Sequence, residues 1–175
     1  MSLEEEFKKL SKEEILKVFR LFNKNWMTVD SLWFSTVEDM FGVEAAKKVN
    51  LKVSEAMAPR MAKRTMETFG LKGDKIQDLA KALKFIVWAS IQKIEFEEFS
   101  KDSFIMRVVD CIPQKTRIKN GKEEFPCKPM GLAFLTNFAK TVNPKFKVEC
   151  LRCPPDPHPE NVWCEWKFYV EAEQK

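Results

Sequence analysis

Apolar residues recur at three- and four-residue intervals through the first half of the chain, and at two-residue intervals through much of the second. The helical half opens with two capping boxes. Ser2 is followed by Glu5 and Ser11 by Glu14, each placing a carboxylate where it can reach back to free helix N–H groups. After the second box, Ile15, Val18, Phe19, Phe22 and Trp26 make one apolar stripe. Another helix is expected over residues 29–41, with Leu32, Trp33, Val37, Met40 and Phe41 inward and Gly42 just past its end. A long helical stretch over 43–69 follows, terminated by Gly70. Its first stripe is Val49, Val53, Met57 and Met61, and the pattern restarts out of phase with Ala62, Met66 and Phe69. Pro59 stands just before the phase change, where its missing N–H and its ring predict a break or kink. Ile76, Leu79, Ala80, Leu83 and Val87 predict a further amphipathic helix.

The period changes near residue 91. IQKIEFEEF and SFIMRVVDC read as two strands joined at Lys101-Asp102. IPQKTRIKNGKEEF reads as a polar connection with a turn at Asn120-Gly121. Pro129 suits the first position of a helix whose apolar face is Leu132, Leu135, Phe138, Ala139 and Val142, and Asn143-Pro144 stops it. FKVECL and VWCEWKFYV are two alternating strands, the second with Val162, Cys164, Trp166, Phe168 and Val170 on one face. The expected class is α+β: one domain over 1–175, with a helical part to residue 90 and a cysteine-rich part over 91–175. That second part combines a mostly antiparallel sheet with one inserted helix.

Composition narrows the classes. An apolar fraction of 45% with 15 Phe and 5 Trp in 175 residues is ample for a core, and 32% charged residues of mixed sign argue against disorder. The net charge of +4, without a basic block, argues against a nucleic-acid partner. The most apolar run, LKFIVWASI, is too short to cross a bilayer, and no basic-then-apolar leader opens the chain. Five cysteines without an export signal point to reduced thiols in the cytoplasm.

The chemistry concentrates late. All five cysteines lie between 111 and 164, and the only histidine, His158, lies among them. Cys127, in FPCKPMG, falls at or just before a helix start, where free N–H groups, the helix dipole and Lys128 all favour a thiolate. A small apolar packing residue is the alternative there. Cys150, Cys153, His158 and Cys164 follow C-x2-C-x4-H-x5-C, one residue longer in the last gap than a retroviral-type zinc knuckle. Four prolines stiffen the intervening loop, and Cys150 and Cys164 fall within strands. In a strand, Cys150 and Cys153 point to opposite faces unless the chain bends between them. Zinc or iron on this set, or on a subset of Cys111, Cys127, Cys153, His158 and Cys164, therefore stays open, and no cofactor is specified. An antiparallel pairing of the last two strands brings Cys153 and Cys164 to the loop mouth, with Asp156 and His158 over it. Glu165 points to the face opposite Cys164, and either lines a pocket or pairs with a neighbouring Lys or Arg.

The segments DCIPQKTR, EFPCKPMGLAFLTNFAK and CLRCPPDPHPENVWCEWKF resemble small cytosolic bacterial and archaeal proteins related to L-2-amino-thiazoline-4-carboxylic acid hydrolase. The ending Cys164-Glu165-Trp166-Lys167 is similar to the C-[DE]-[FW]-[KR] of that group, and a comparable ending occurs in vinyl-reductase-type ligand-binding domains. The resemblance implies an α+β fold with a pocket between helices and a curved sheet, the cysteines near it, and a reaction that opens a ring containing sulfur and nitrogen.

Three function classes follow. The first is a small-molecule-binding domain, with hydrolysis of the ligand as its finer form. Cys127 or Cys164 would be the nucleophile, His158 the proton carrier and Glu165 a neighbouring carboxylate, with Cys111, Cys153 and Asp156 touching the ligand. The second is a metal or redox module on Cys150, Cys153, His158 and Cys164. The third is a homodimer formed through the aromatic helices, its thiols incidental.

Overall fold

Both N-terminal capping boxes form in the computed structural model, which describes residues 2–171. Ser2 caps helix α1 (Leu3–Lys9) and Ser11 caps α2 (Lys12–Phe41). The two helices expected over residues 11–41 are one helix of 30 residues, since nothing between Trp26 and Val29 breaks it. Gly42, at φ 81°, ends α2, and α3 (Val43–Phe69) starts directly after it. The third helix runs unbroken through Pro59 and stops at Gly70 in the left-handed region.

The predicted α3 stripe holds only in its second half: Met57, Met61 and Met66 pack against the core beside fully buried Ala58 and Ala62, while Val49 and Val53 stand exposed and Ala46 and Ser54 take the buried positions of the first half. Small side chains let another helix come close, and α6 (Lys128–Val142) occupies that place. Between them in sequence come α4 (Ile76–Leu83), a 3-10 turn at Val87–Ser90, and strands β1 (Lys93–Glu97) and β2 (Ser103–Asp110). The residues read as a polar connection contain α5 (Ile112–Lys119), a helix whose low apolar content hid it. Strands β3 (Phe146–Arg152) and β4 (Cys164–Val170) complete the chain.

The four strands form one antiparallel sheet in the order β1-β2-β4-β3. With helices filling the N-terminal half and this sheet the C-terminal part, the fold is α+β. The register sets Phe104 against Phe168, Met106 against Trp166 and Val108 against Cys164, all on the face that α6 covers. The predicted β3–β4 pairing holds, with Phe146 opposite Val170 and Cys150 opposite Trp166. Residues of both halves share one core, in which Ala58, Leu79 and Leu83 meet Phe104, Phe138 and Phe168. Gly131 lets α6 sit directly on the sheet: a Cβ there would fall 2.7 Å from the Trp166 ring. The space between α6 and the sheet, where the resemblance implied a pocket, is filled by Phe134, Phe138, Phe146, Trp166 and Phe168. Among the described residues no helix is long and apolar enough to cross a membrane.

Candidate functional site

The junction of the α6 N-terminus with the β3–β4 loop gathers Cys127, Cys150, Cys153 and Cys164. Cys164 points to the core face of β4, and Cys150 is packed against the same core. A register irregularity between Cys150 and Arg152 supplies the bend that brings Cys153, just past β3, back toward that side. Cys153 is fully buried, with its sulfur 3.6 Å from that of Cys127, the residue before α6. All five cysteines are free thiols.

Two thiols of this pair have opposite characters. Cys127 is the acidic one: hydrogen bonding from Cys153 lowers its pKa against the cost of burial, and the Gln114 amide and its own backbone N–H lower it further. Cys153 keeps the shared proton. Its pKa is driven far up by the Cys127 sulfur, then by the Cys164 sulfur beside it, then by burial. Burial pushes Cys111 to about 12 and Cys150 to about 11, and each also senses the charge of Cys127 and Cys164. The five thiols thus share one electrostatic neighbourhood.

Gln114, on α5, fixes the acidic member. Its buried amide donates to the Phe125 carbonyl (2.8 Å) and to Cys127 Sγ (3.5 Å), and its Oε1 accepts from the Phe125 N–H (2.9 Å). Sequence reasoning missed this residue, because a glutamine within a polar segment gives no signal of burial. Cys111 Sγ accepts from Nε2 of Gln92, the residue before β1, at 3.7 Å.

The proline loop is pinned twice. Lys128 Nζ meets Asp156 Oδ2 at 2.8 Å, which holds the carboxyl below its usual range, and the Lys128 N–H donates to the Pro154 carbonyl. The Pro154-Pro155 peptide is cis. Farther along, His158 Nδ1 lies 3.1 Å from the Pro159 carbonyl and Nε2 lies 3.2 Å from Glu124 Oε2, with the ring 5.1 Å from Trp163. Both ring nitrogens therefore face acceptors, and only the doubly protonated ring satisfies both. Burial works against that charge, but the carbonyls of Pro159 and Val162 and the Glu124 carboxylate outweigh it and raise the pKa. The expected proton carrier consequently has neither nitrogen on a thiol.

Glu165 is also placed elsewhere. It faces away from Cys164 and is buried, with Arg107 Nε 2.6 Å from one carboxylate oxygen and Arg152 Nε 3.0 Å from the other. Arg107 further binds Glu97 and, at 3.0 Å, Glu98. The ion-pair alternative is the one the fold realises. The four-residue set Cys150, Cys153, His158 and Cys164 does not assemble: among the described residues no three His, Cys, Asp or Glu side chains stand ready to hold a metal ion.

Beside the loop lies an open cleft of about 490 Å³ lined by Glu124, Pro155, Asp156, Pro157, His158 and Trp163, with Glu160 at its rim. A second open cleft, of about 330 Å³ around Gly70–Asp78, contains no residue of the site.

The sequence matches, over residues 8–170, the model of a family of unknown function, DUF6125. The chain belongs to that family. No curated protein matches the chain. The fold is similar to the crystal structure of the phenol-responsive sensory domain of the transcription activator PoxR with phenol. The TM-score is 0.54 and the identity 14%, covering 79% of this chain and 71% of that one. The likeness is one of fold. It lies with a sensory domain and not with the thiazoline hydrolase suggested by the Cys164-Glu165-Trp166-Lys167 ending.

Proposed function

We propose that this member of the family is a small-molecule-binding domain of the sensory kind, its ligand taken at the cleft beside the proline loop. The observation that carries the reading is the construction of that cleft. Two polar pairs, Lys128–Asp156 and His158–Glu124, hold a proline-stiffened wall against the Trp163 indole around this open cleft. The fold of a phenol-responsive domain supports it as kinship of architecture. Lys128 offsets Asp156 and His158 offsets Glu124, so Glu160 leaves one unpaired carboxylate at the rim, which favours a ring-bearing ligand with hydrogen-bond donors over an anion. Thiol-assisted hydrolysis is the finer reading. Cys127 would supply the thiolate, held by a hydrogen bond from Cys153 and not by His158, and the ligand would have to reach it from a cleft whose lining contains no cysteine.

Thiolate-bound zinc is a second reading with one observation behind it. The 3.6 Å between Cys127 and Cys153 is close to the roughly 3.8 Å edge of a tetrahedron with zinc–sulfur bonds of about 2.3 Å. Cys164 or Cys150 would have to turn in as further ligands.

A thermal-shift panel of phenols and aromatic amines, read with elemental analysis of the purified chain, tests both readings. Stabilisation by a panel compound that disappears in Trp163→Ala is expected. A panel without any shift overturns the binding reading. Zinc or iron near one equivalent selects the second reading, because such a site holds its metal tightly.

A further inference from the structure

The apolar arc of α2 is wider than the surface the rest of the chain covers. One side packs inward: Asn23 bonds Ser90, Trp26 meets Trp88 edge to face, Phe34 meets Phe125, and Glu38 pairs with Arg117 and Lys122. The adjacent side carries Ile15, Phe19, Phe22, Val29, Trp33 and Met40, each between 41% and 70% exposed, and no residue of α2 is fully buried. With half-buried Trp26 and with Thr36 these positions run 15, 19, 22, 26, 29, 33, 36 and 40, the alternating four-and-three spacing of a coiled-coil seam.

We infer that this seam is a homodimer interface in which two copies of α2 pack antiparallel across a two-fold axis near Met27 and Thr28. The exposed area and the charges select a second copy as the occupant, and the alternating spacing lets the seam pair with itself. From their exposed fractions the six side chains leave roughly 800 Å² open per copy, what each partner of a stable dimer buries and more than a monomer ordinarily exposes in one patch. The positions mirror themselves about the axis, so Ile15 meets Met40, Phe19 meets Thr36 and Phe22 meets Trp33, as an isologous contact requires. The charges favour one direction. Residues 12–24 carry four cations against two carboxylates, whereas residues 25–41 carry no cation and three carboxylates, of which Glu38 and Asp39 are already paired with Arg117 and Lys122 of the same chain. Antiparallel packing sets these halves against each other, and parallel packing would set like against like.

Light scattering of the full chain is expected to give twice the 20.5 kDa chain mass. Trp33→Glu, a change at a side chain 70% exposed in the single copy, is expected to leave the helical circular dichroism intact. The same change should raise the dimer Kd at least about a hundredfold, since both copies lose a central aromatic anchor. Orientation is read by a short bis-maleimide added to single-cysteine additions, with the unmodified chain as background. Antiparallel packing leaves the two Val29→Cys positions about 5 Å apart along the axis and the two Ile15→Cys positions about 37 Å apart, so only the first should cross-link. A monomer at 100 µM overturns the proposal, whether the face is then found to bind lipid vesicles or another protein. Equal cross-linking of both variants overturns the antiparallel arrangement.

Discussion

Replacing Glu165 by Gln separates a structural carboxylate from a chemical one. The substitution keeps the shape and removes the charge that stands between Arg107 and Arg152 on the outer face of β4. Removing one partner of a buried ion pair typically costs about 3–5 kcal/mol, because the other charge stays buried without its neighbour. Here the cost is smaller. Arg107 retains Glu97 and Glu98, and the outer part of the Arg152 side chain stays hydrated although its Nε is buried. About 2 kcal/mol is expected, with the Arg107 contact contributing most of it. For a chain of this length that lowers Tm by about 4–8 °C. Urea unfolding at pH 7 measures the loss directly, and Arg107→Gln combined with Glu165→Gln should cost less than the sum of the two single changes. The rate of Cys127 alkylation and the affinity for any panel ligand should stay as they were, because Glu165 and Cys164 point to opposite faces of one strand. A fall in ligand affinity or thiol reactivity with Tm unchanged would refute the structural assignment and return Glu165 to the site.

Two further outcomes probe the site itself. Near pH 7.5 iodoacetamide should label Cys127 first, since thiols at about 12 (Cys111) and about 11 (Cys150) then hold fewer than about one thiolate in a thousand. Gln114→Leu should slow that labelling, and peptide mapping that finds Cys111 or Cys150 modified ahead of Cys127 contradicts the electrostatics. The His158 clamp should be pH-dependent. Its pKa is raised on folding, so its stabilisation is complete below about pH 6.5 and fades as pH rises through the folded value. Glu124→Gln should therefore cost more at pH 5.5 than at pH 8.5, by less than about 1 kcal/mol because the carboxylate is partly exposed. A larger cost at the higher pH refutes the sign.

Where one physical period dominated a segment, the sequence was legible. Alternation located all four strands and placed Cys164 and Glu165 on opposite faces, and the loop geometry anticipated that Cys153 and Cys164 would meet. Periodicity says which side of a helix is apolar but not how much of it the same chain covers, so Leu32, Trp33, Met40 and Phe41 were expected inward and stand exposed. Helix α5 was invisible because its one fully buried side chain is a glutamine, recognisable only once Phe125 and Cys127 are in place around it. His158 failed as a proton carrier for a similar reason. Its partners, Glu124 and the Pro159 carbonyl, are set by how the loop folds over α6 and not by spacing in the sequence.

Helix α5 links α2 to the thiol cluster. Arg117 donates two bonds to Glu38 of α2, at 2.8 and 3.0 Å, and these hold that carboxyl below its usual range despite burial. Its guanidinium also lies over the rings of Phe34 and Phe125, and Phe125 is fixed through its backbone to Gln114, which donates to Cys127. A bidentate arginine pair and a doubly bonded buried amide do not slide continuously; each holds or breaks. Contiguity of this kind is not coupling, which needs a second state that both surfaces bias. It does determine where such a state would act. If α2 has a second packing state, Arg117 and Gln114 are the side chains that join it to the thiols, whereas the Glu165 cluster, on the far face of the sheet, lies off that line of contacts.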